Sequence, residues 1–335
     1  MKHKKNKIKI LAISSALLAI MASPISVFAL HSANHSVATT KTHEGPTTWP
    51  DGSQLVISFS MQFENGGIPN KGDGIESPFA AMPLPAGQPD ITARSWFNYG
   101  SNEGMWRMMD LWDQHGIKVT SHVIGEAALV FPEVVEAIHN RGHEVTARGF
   151  QWKSQAEMSF EEELAFVKRG IAAVDETLGI PSRGFNAHWC RRSPHTLKVL
   201  QAAGMNYQVD DFSRDEPFVV MVRGEKFAIV PYTLRNNDIV LFSNRSFSPQ
   251  QFLDLLKFEF DRLYKEGATK RRMMSVTLHD RIGGSPAIVE AVDRFIEYAK
   301  SHQKVTFMRK DEIANIVLNE ANPLIDTYED EFNRL

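Results

Sequence analysis

From Leu55 to about Leu318 short apolar runs alternate with longer stretches of helical periodicity roughly seven or eight times, and no other feature narrows the fold as much. Leu55-Val56-Ile57-Ser58-Phe59 reads as a first, buried strand. Glu161 to Leu178 sets Leu164, Val167, Ile171, Val174 and Leu178 on one helical face, and Gln250 to Glu266 does the same with Phe252, Leu256, Phe260 and Leu263. Further strands are predicted at Ile117 to Ile124, His143 to Ala147, Gly184 to Ala187, Asn206 to Val209, Phe227 to Val230, Met273 to Leu278 and Val305 to Met308. Helices are predicted over Glu103 to His115, Pro132 to Arg141, Ser193 to Ala203, Ala287 to Ser301 and Asp311 to Leu318. The first strand is followed by no Gly-rich phosphate loop, so the alternation points to a parallel α/β barrel rather than a dinucleotide fold. Gly66 to Pro89 is too rich in Gly and Pro for regular structure and predicts a long loop over one end of the barrel.

The two ends of the chain read differently. Lys2, Lys4, Lys5, Lys7 and Lys9 precede an apolar run from Ile10 to Ala22 and the small-residue pattern Val27-Phe28-Ala29, which predicts a signal peptide over residues 1–29. The run is short for a bilayer span. Export to the periplasm or the medium is the expectation, and no membrane partner after cleavage. Residues 30–48 read as a disordered linker, in which His31, His35 and His43 are solvated, and residues 321–335 as a polar tail around a domain at 49–320. Loss of the five leader lysines takes the formal charge from −3 to −8, which argues against nucleic acid or an anionic membrane as partner. Cys190 is the one cysteine, so an intramolecular disulfide is excluded and stability rests on the core. Homo-oligomerisation stays open.

Chemistry on a β/α scaffold concentrates where strands run into loops at their carboxyl ends. One such place is Gly142-His143-Glu144-Val145-Thr146-Ala147-Arg148-Gly149-Phe150-Gln151-Trp152. The stretch resembles the second signature of the polysaccharide deacetylase superfamily, where a His-Gly-x-x-His pair holds a divalent metal. Here those positions are Arg148 and Trp152, and neither a guanidinium nor an indole has a lone pair to give a cation. The two first-strand Asp of the metal-using members fall at Ser60 and Gln62. The metal-independent allantoinase and cyclic-imide hydrolase branch also carries Trp at the second position but keeps His at the first. Trp49-Pro50-Asp51-Gly52, Phe63-Glu64-Asn65-Gly66-Gly67, Tyr99-Gly100-Ser101, Pro231-Tyr232-Thr233-Leu234 with Asn237-Asp238, and Met273 to His279 are similar to that branch. The resemblance spans Trp49 to Leu318 and implies a distorted (β/α)7-type barrel. It also implies no metal and no other cofactor.

Hydrolysis without a metal needs a group to activate water and another to stabilise the developing oxyanion. Glu64, at the family's first loop Glu, is the candidate base, against the alternative of a solvated loop residue. His279 ends a strand and is the candidate acid or shuttle, with neighbouring Asp280 available to fix its tautomer. Arg148 either anchors a substrate carboxylate or carbonyl, or pairs with a buried acid such as Glu144 or Glu64. Trp152, Arg191, Tyr232 and Asp280 are the candidate substrate-binding residues; Trp152, Trp189 and Tyr232 either wall a flat ring or pack. Asp210-Asp211 reads as a loop cap rather than a metal pair. The expected activity is that of an exported, metal-independent hydrolase of non-peptide C–N bonds, acting on an amide, cyclic imide or ureide. Two other readings stay open: a non-catalytic carbohydrate- or ligand-binding barrel, and a cell-wall polysaccharide deacetylase. The partner in each case is a small-molecule or saccharide ligand.

Overall fold

The computed structural model describes residues 45–67 and 88–326. β1 (Leu55–Phe63) is followed by α1 (Ile91–Tyr99), a π-helical turn over Gly100–Gly104, α2 (Met105–His115) and β2 (Thr120–Val123). Next come α3 (Gly125–Val130), α4 (Pro132–Asn140), β3 (Glu144–Ala147), α5 (Phe160–Leu178) and β4 (Gly184–Phe185). The remainder holds α6 (Thr196–Ala202), β5 (Tyr207–Gln208), β6 (Phe218–Val222), β7 (Glu225–Ile229), α7 (Pro249–Glu266), β8 (Met273–His279), α8 (Pro286–Lys300), β9 (Val305–Phe307), α9 (Lys310–Asn319) and β10 (Ile325–Asp326).

β1 is buried along its whole length and everything else is laid out from it. It runs parallel to β8, pairing Val56–Gln62 with Met273–His279. Its other edge is shared by β9, opposite Leu55–Ile57, and β2, opposite Ser60–Phe63. From β2 the sheet continues in parallel through β3, β4, β5 and β7, and β6 turns back antiparallel on β7. Among the described residues no strand joins β7 to β8. Residues 231–237 span that gap, with Ser275 Oγ donating to Pro231 O at 2.6 Å and Thr277 N donating to Asn236 O at 3.0 Å. The result is the parallel α/β architecture that the alternation predicts, left open between β7 and β8 as the distortion implied by the resemblance would have it, and the irregular segment leads Tyr232 and Asp238 toward the carboxyl ends of the strands.

The strand period of two explains how a hydrophobic β1 can enclose a polar interior. Leu55, Ile57, Phe59, Met61 and Phe63 face the helices, where Phe59 meets Trp112 at 4.8 Å between ring centres and also packs on Phe295. Burial of each such side chain contributes about 1.5–3 kcal/mol. The alternate residues point inward: Lys310 Nζ lies 3.4 Å from Ser58 Oγ, Ser60 Oγ lies 3.3 Å from His122 Nε2, and Gln62 Nε2 donates to Tyr232 OH at 2.8 Å. α5 starts with a capping box, Ser159 Oγ accepting from Glu162 N and Glu162 Oε2 from Ser159 N, and stops at Gly179 with φ 68°.

Several boundaries move. β2, β4 and β5 are shorter than their apolar runs, and α1, α3 and β6 were not predicted. Ile325–Asp326, read as tail, pairs with β6. The signal peptide, the linker up to residue 44, the loop over residues 68–87 and the tail beyond 326 lie outside the described residues. Among the described residues no helix is long and apolar enough to cross a membrane.

Candidate active site

Three strand ends meet. Glu64 follows β1, Arg148 follows β3, and His279 closes β8 with Asp280 and Arg281 behind it. All five side chains are buried. Glu64 Oε1 forms an ion pair with Arg148 Nη1, and Glu64 Oε2 accepts from Arg281 Nη1 at 2.6 Å. One carboxylate thus bridges two guanidinium groups, and of the two acids open to Arg148 the structure selects Glu64. Glu144 sits at the other end of the interior, where Tyr207 OH and Thr120 Oγ1 donate to it at 2.5 and 2.6 Å. Burial, with Asp311 nearby, pushes its pKa up to about 7. Burial also lowers the Arg148 pKa, while Tyr232, Cys190 and Asp210 pull it back up. Among the described residues Arg148 Nε has no hydrogen-bond partner.

His279 Nδ1 is 2.6 Å from Asp238 Oδ1, and the His279 backbone N–H donates to Asp238 Oδ2 at 2.6 Å. A carboxylate only accepts, so Nδ1 is the donor in this contact, and the tautomer it selects is the one that carries its lone pair on Nε2. Nε2 faces Glu64 Oε1 at 3.9 Å. The orienting carboxylate is therefore Asp238, which the sequence reading left without a role, and not Asp280. Asp280 is spent elsewhere: Oδ2 accepts from Glu64 N at 3.1 Å and Asn65 N at 3.3 Å, and Oδ1 from Arg281 N at 2.7 Å. Fully buried and bonded to the protein's own backbone, it pins the β1 loop to the end of β8, which corrects its expected substrate-binding role. Burial raises its pKa, and Arg281 and His279 oppose that. The π-helical turn needs glycine here, since a Cβ on Gly104 would fall 1.9 Å from Asp280 O and one on Gly100 2.5 Å from Asp280 Cγ. Arg281, also missed, lies over the rings of Phe97 at 4.1 Å, Trp96 at 4.7 Å and Trp152 at 5.6 Å.

Arg148 is aimed by the turn that follows it. Gly149 takes φ 73°, its carbonyl accepts from Gly125 N at 2.9 Å, and Gly170 of α5 lies so near that a Cβ there would be 2.4 Å from Gly149 C. Beyond the turn, Trp152 meets Phe97 and His188 edge-on at 5.3 and 5.0 Å, and its buried Nε1 has no partner among the described residues. Tyr232 lies between the rings of His122 and Phe212, with its hydroxyl accepting from Gln62 Nε2; burial raises its pKa well above the usual phenol value, so it stays protonated. Arg191 is exposed and held through its backbone N–H on His188 O at 2.9 Å, so it does not join the cluster as expected. Asp210 accepts from Ala187 N at 2.7 Å and Asp211 from Ser213 N at 2.8 Å, both as loop caps.

A divalent ion, which the resemblance assigns to metal-using members, does not suit this donor set. Ser60 and Gln62 are engaged with His122 and Tyr232, and two permanent cations, Arg148 and Arg281, converge on the carboxylate of Glu64. Among the described residues no group of three or more His, Cys, Asp or Glu is placed to hold a metal ion.

A family model described as polysaccharide deacetylase matches residues 88–208. The crystal structure of a probable polysaccharide deacetylase from Pseudomonas aeruginosa PAO1 superposes with a TM-score of 0.76 at 31% identity, over 82% of this chain and 95% of that one. PuuE allantoinase superposes with a TM-score of 0.76, also at 31% identity, over 82% of this chain and 94% of its own. A peptidoglycan deacetylase of Helicobacter pylori is 22% identical over 260 residues, 68% of this chain and 87% of that protein.

Proposed function

The chain belongs to the polysaccharide deacetylase family, and from that premise we propose that it hydrolyses a non-peptide C–N bond, in an amide, cyclic imide or ureide, with protein groups in place of a metal ion. The observation that carries the reading is the His279 Nδ1 to Asp238 Oδ1 contact of 2.6 Å, which leaves Nε2 as a base beside the Arg148 guanidinium and Glu64. Water attacks the carbonyl carbon as His279 Nε2 takes its proton; Arg148 faces the oxygen on which negative charge develops. The imidazolium, stabilised by Asp238, returns that proton to the leaving nitrogen. The C–N bond then breaks to give a carboxylic acid and the freed N–H group: an amine from a simple amide, an amide from an imide, or a ureido group from a cyclic ureide. Glu64, with an oxygen on each guanidinium, is a poor base in this arrangement. Its role in the proposal is to hold Arg148 and Arg281 in place, and the proton transfer first assigned to it passes to His279. Trp152 and Tyr232 wall the ring that carries the reacting group.

The similarity to PuuE allantoinase favours a cyclic ureide or imide over a sugar. The leader-like start supports an exported enzyme in the periplasm or medium. A screen of cyclic ureides and N-acetylated sugars, run on the full chain and on His279→Asn, tests the reading: turnover of a ureide or imide, reduced at least about a hundredfold by the substitution, is expected. Turnover indifferent to His279 rejects it. The Arg148–Glu64–Arg281 clamp also favours a second reading, a binding barrel whose charges are satisfied internally; tight ligand binding without turnover selects that one. Turnover of an N-acetylated cell-wall sugar alone selects a wall deacetylase, in line with the Helicobacter relative.

A further inference from the structure

His188 entered neither the expected site nor the mechanism above, yet it lies in the wall of the mouth. Its side chain is 3% exposed, edge-on to Trp152 at 5.0 Å between ring centres and tilted against Trp189 at 4.7 Å. Among the described residues its buried Nδ1 has no hydrogen-bond partner, and neither have Trp152 Nε1 and Arg148 Nε. Buried polar atoms are seldom left so, and three on neighbouring side chains at a strand-end mouth mark a place for a polar group that is not part of the protein.

The backbone is bent to put the ring there. Trp189 and Cys190, directly after His188, both take positive φ, 51° and 55°, although neither is glycine. Such conformations cost about 1–3 kcal/mol each and persist where the surroundings impose them. Here the carboxylate of Asp210 grips the approach, accepting from Asn186 Nδ2 at 2.5 Å and Ala187 N at 2.7 Å, and Cys190 N returns to Ala187 O at 2.9 Å. The ring is also kept neutral. Burial first, then the charges of Arg148 and Arg281 and the neighbouring His279, push its pKa far below the ordinary histidine value. Proton transfer therefore falls to His279, and His188 is left as a hydrogen-bonding group.

We infer that His188 is a specificity-determining residue of the mouth, whose ring hydrogen-bonds the amide-type group of the ligand, beside the Trp152 and Arg148 N–H groups, without taking its proton. The inference rests on the proposed C–N hydrolysis for the kind of ligand, but its test reads binding. Hydantoin, a ring with adjacent C=O and N–H groups, is titrated into the full chain, and the quenching of tryptophan fluorescence is followed for wild type, His188→Phe and His188→Asn. Phe keeps the ring and loses the nitrogens, and Asn keeps a polar atom near Nδ1. Loss of one such bond should weaken binding about tenfold in the Phe variant, with much of it recovered in Asn. Near-UV circular dichroism checks that both fold. Should the Phe variant misfold, nitrogen NMR of the wild-type histidine rings decides: His188 should stay neutral from pH 5 to 8 and shift when hydantoin is added. Wild-type-like affinity in a folded Phe variant, no hydantoin binding by wild type, or a His188 that titrates in that range overturns the inference. Hydantoin bound through His188 but never hydrolysed would reject the proposed reaction and leave His188 standing.

Discussion

Replacing Glu64 by Gln removes the charge that bridges two buried guanidinium groups while barely changing volume. Arg281 keeps a second carboxylate, with Asp280 Oδ1 at 3.2 Å from Nη1, so the loss falls on Arg148, whose one ion pair among the described residues is with Glu64. Arg148 is 4% exposed and Glu64 1%, too little for water to take over the solvation. Breaking a buried pair by deleting one partner costs about 3–5 kcal/mol, because the remaining charge is stranded. For a chain of this size that is a fall of roughly 4–7 °C in Tm. Urea unfolding at pH 7 measures it directly, provided the denaturant slope matches wild type. Adding Arg148→Met to Glu64→Gln should then recover most of the loss, since the stranded cation is gone, and the double-mutant cycle isolates the pair. A Glu64→Gln midpoint within about 0.5 kcal/mol of wild type would refute the claim that this carboxylate neutralises a desolvated Arg148.

Two further outcomes follow from single contacts. Asp238→Asn offers an N–H where His279 Nδ1 now donates, which favours the opposite tautomer and removes the lone pair from Nε2; kcat should fall about 10²–10⁴-fold, and an unchanged kcat would remove Asp238 from the mechanism. Lys310 is buried, and burial, partly opposed by Glu144, pushes its pKa from 10.5 down to about 7. A depressed lysine pKa means that the folded chain binds fewer protons than the unfolded one between about pH 7 and 10.5, so this residue makes stability rise with pH there, by at most about 1.4 kcal/mol per unit. Lys310→Met should flatten that rise in urea midpoints taken at pH 7 and 9.5, and a parallel curve would contradict the assignment.

Local pattern disclosed the scaffold well. The period-two run of β1 and the stripe of α5, with Val167, Ile171 and Val174 buried as expected, needed no tertiary information. α1 escaped because its fully buried apolar residues are only Ala93 and Phe97, one turn apart, and its start is marked by the Asp90 cap alone, 2.8 Å from Ala93 N. The site was legible in its residue types and not in its pairings. Arg148 and Glu64 were named together as one of two options, but that Asp238 rather than adjacent Asp280 orients His279 depends on a loop 41 residues upstream folding back onto β8. His188 left no sequence signal at all, since two left-handed residues turn it inward and nothing in His-Trp-Cys announces such a bend.

The central claim is that protein charges alone perform the hydrolysis. Its most direct test is turnover of a cyclic ureide by protein stripped with chelator, with bound metal quantified in the same sample. Undiminished rates with far less than one metal ion per chain are expected. Activity that vanishes on stripping and returns in proportion to added zinc or another divalent ion would contradict it.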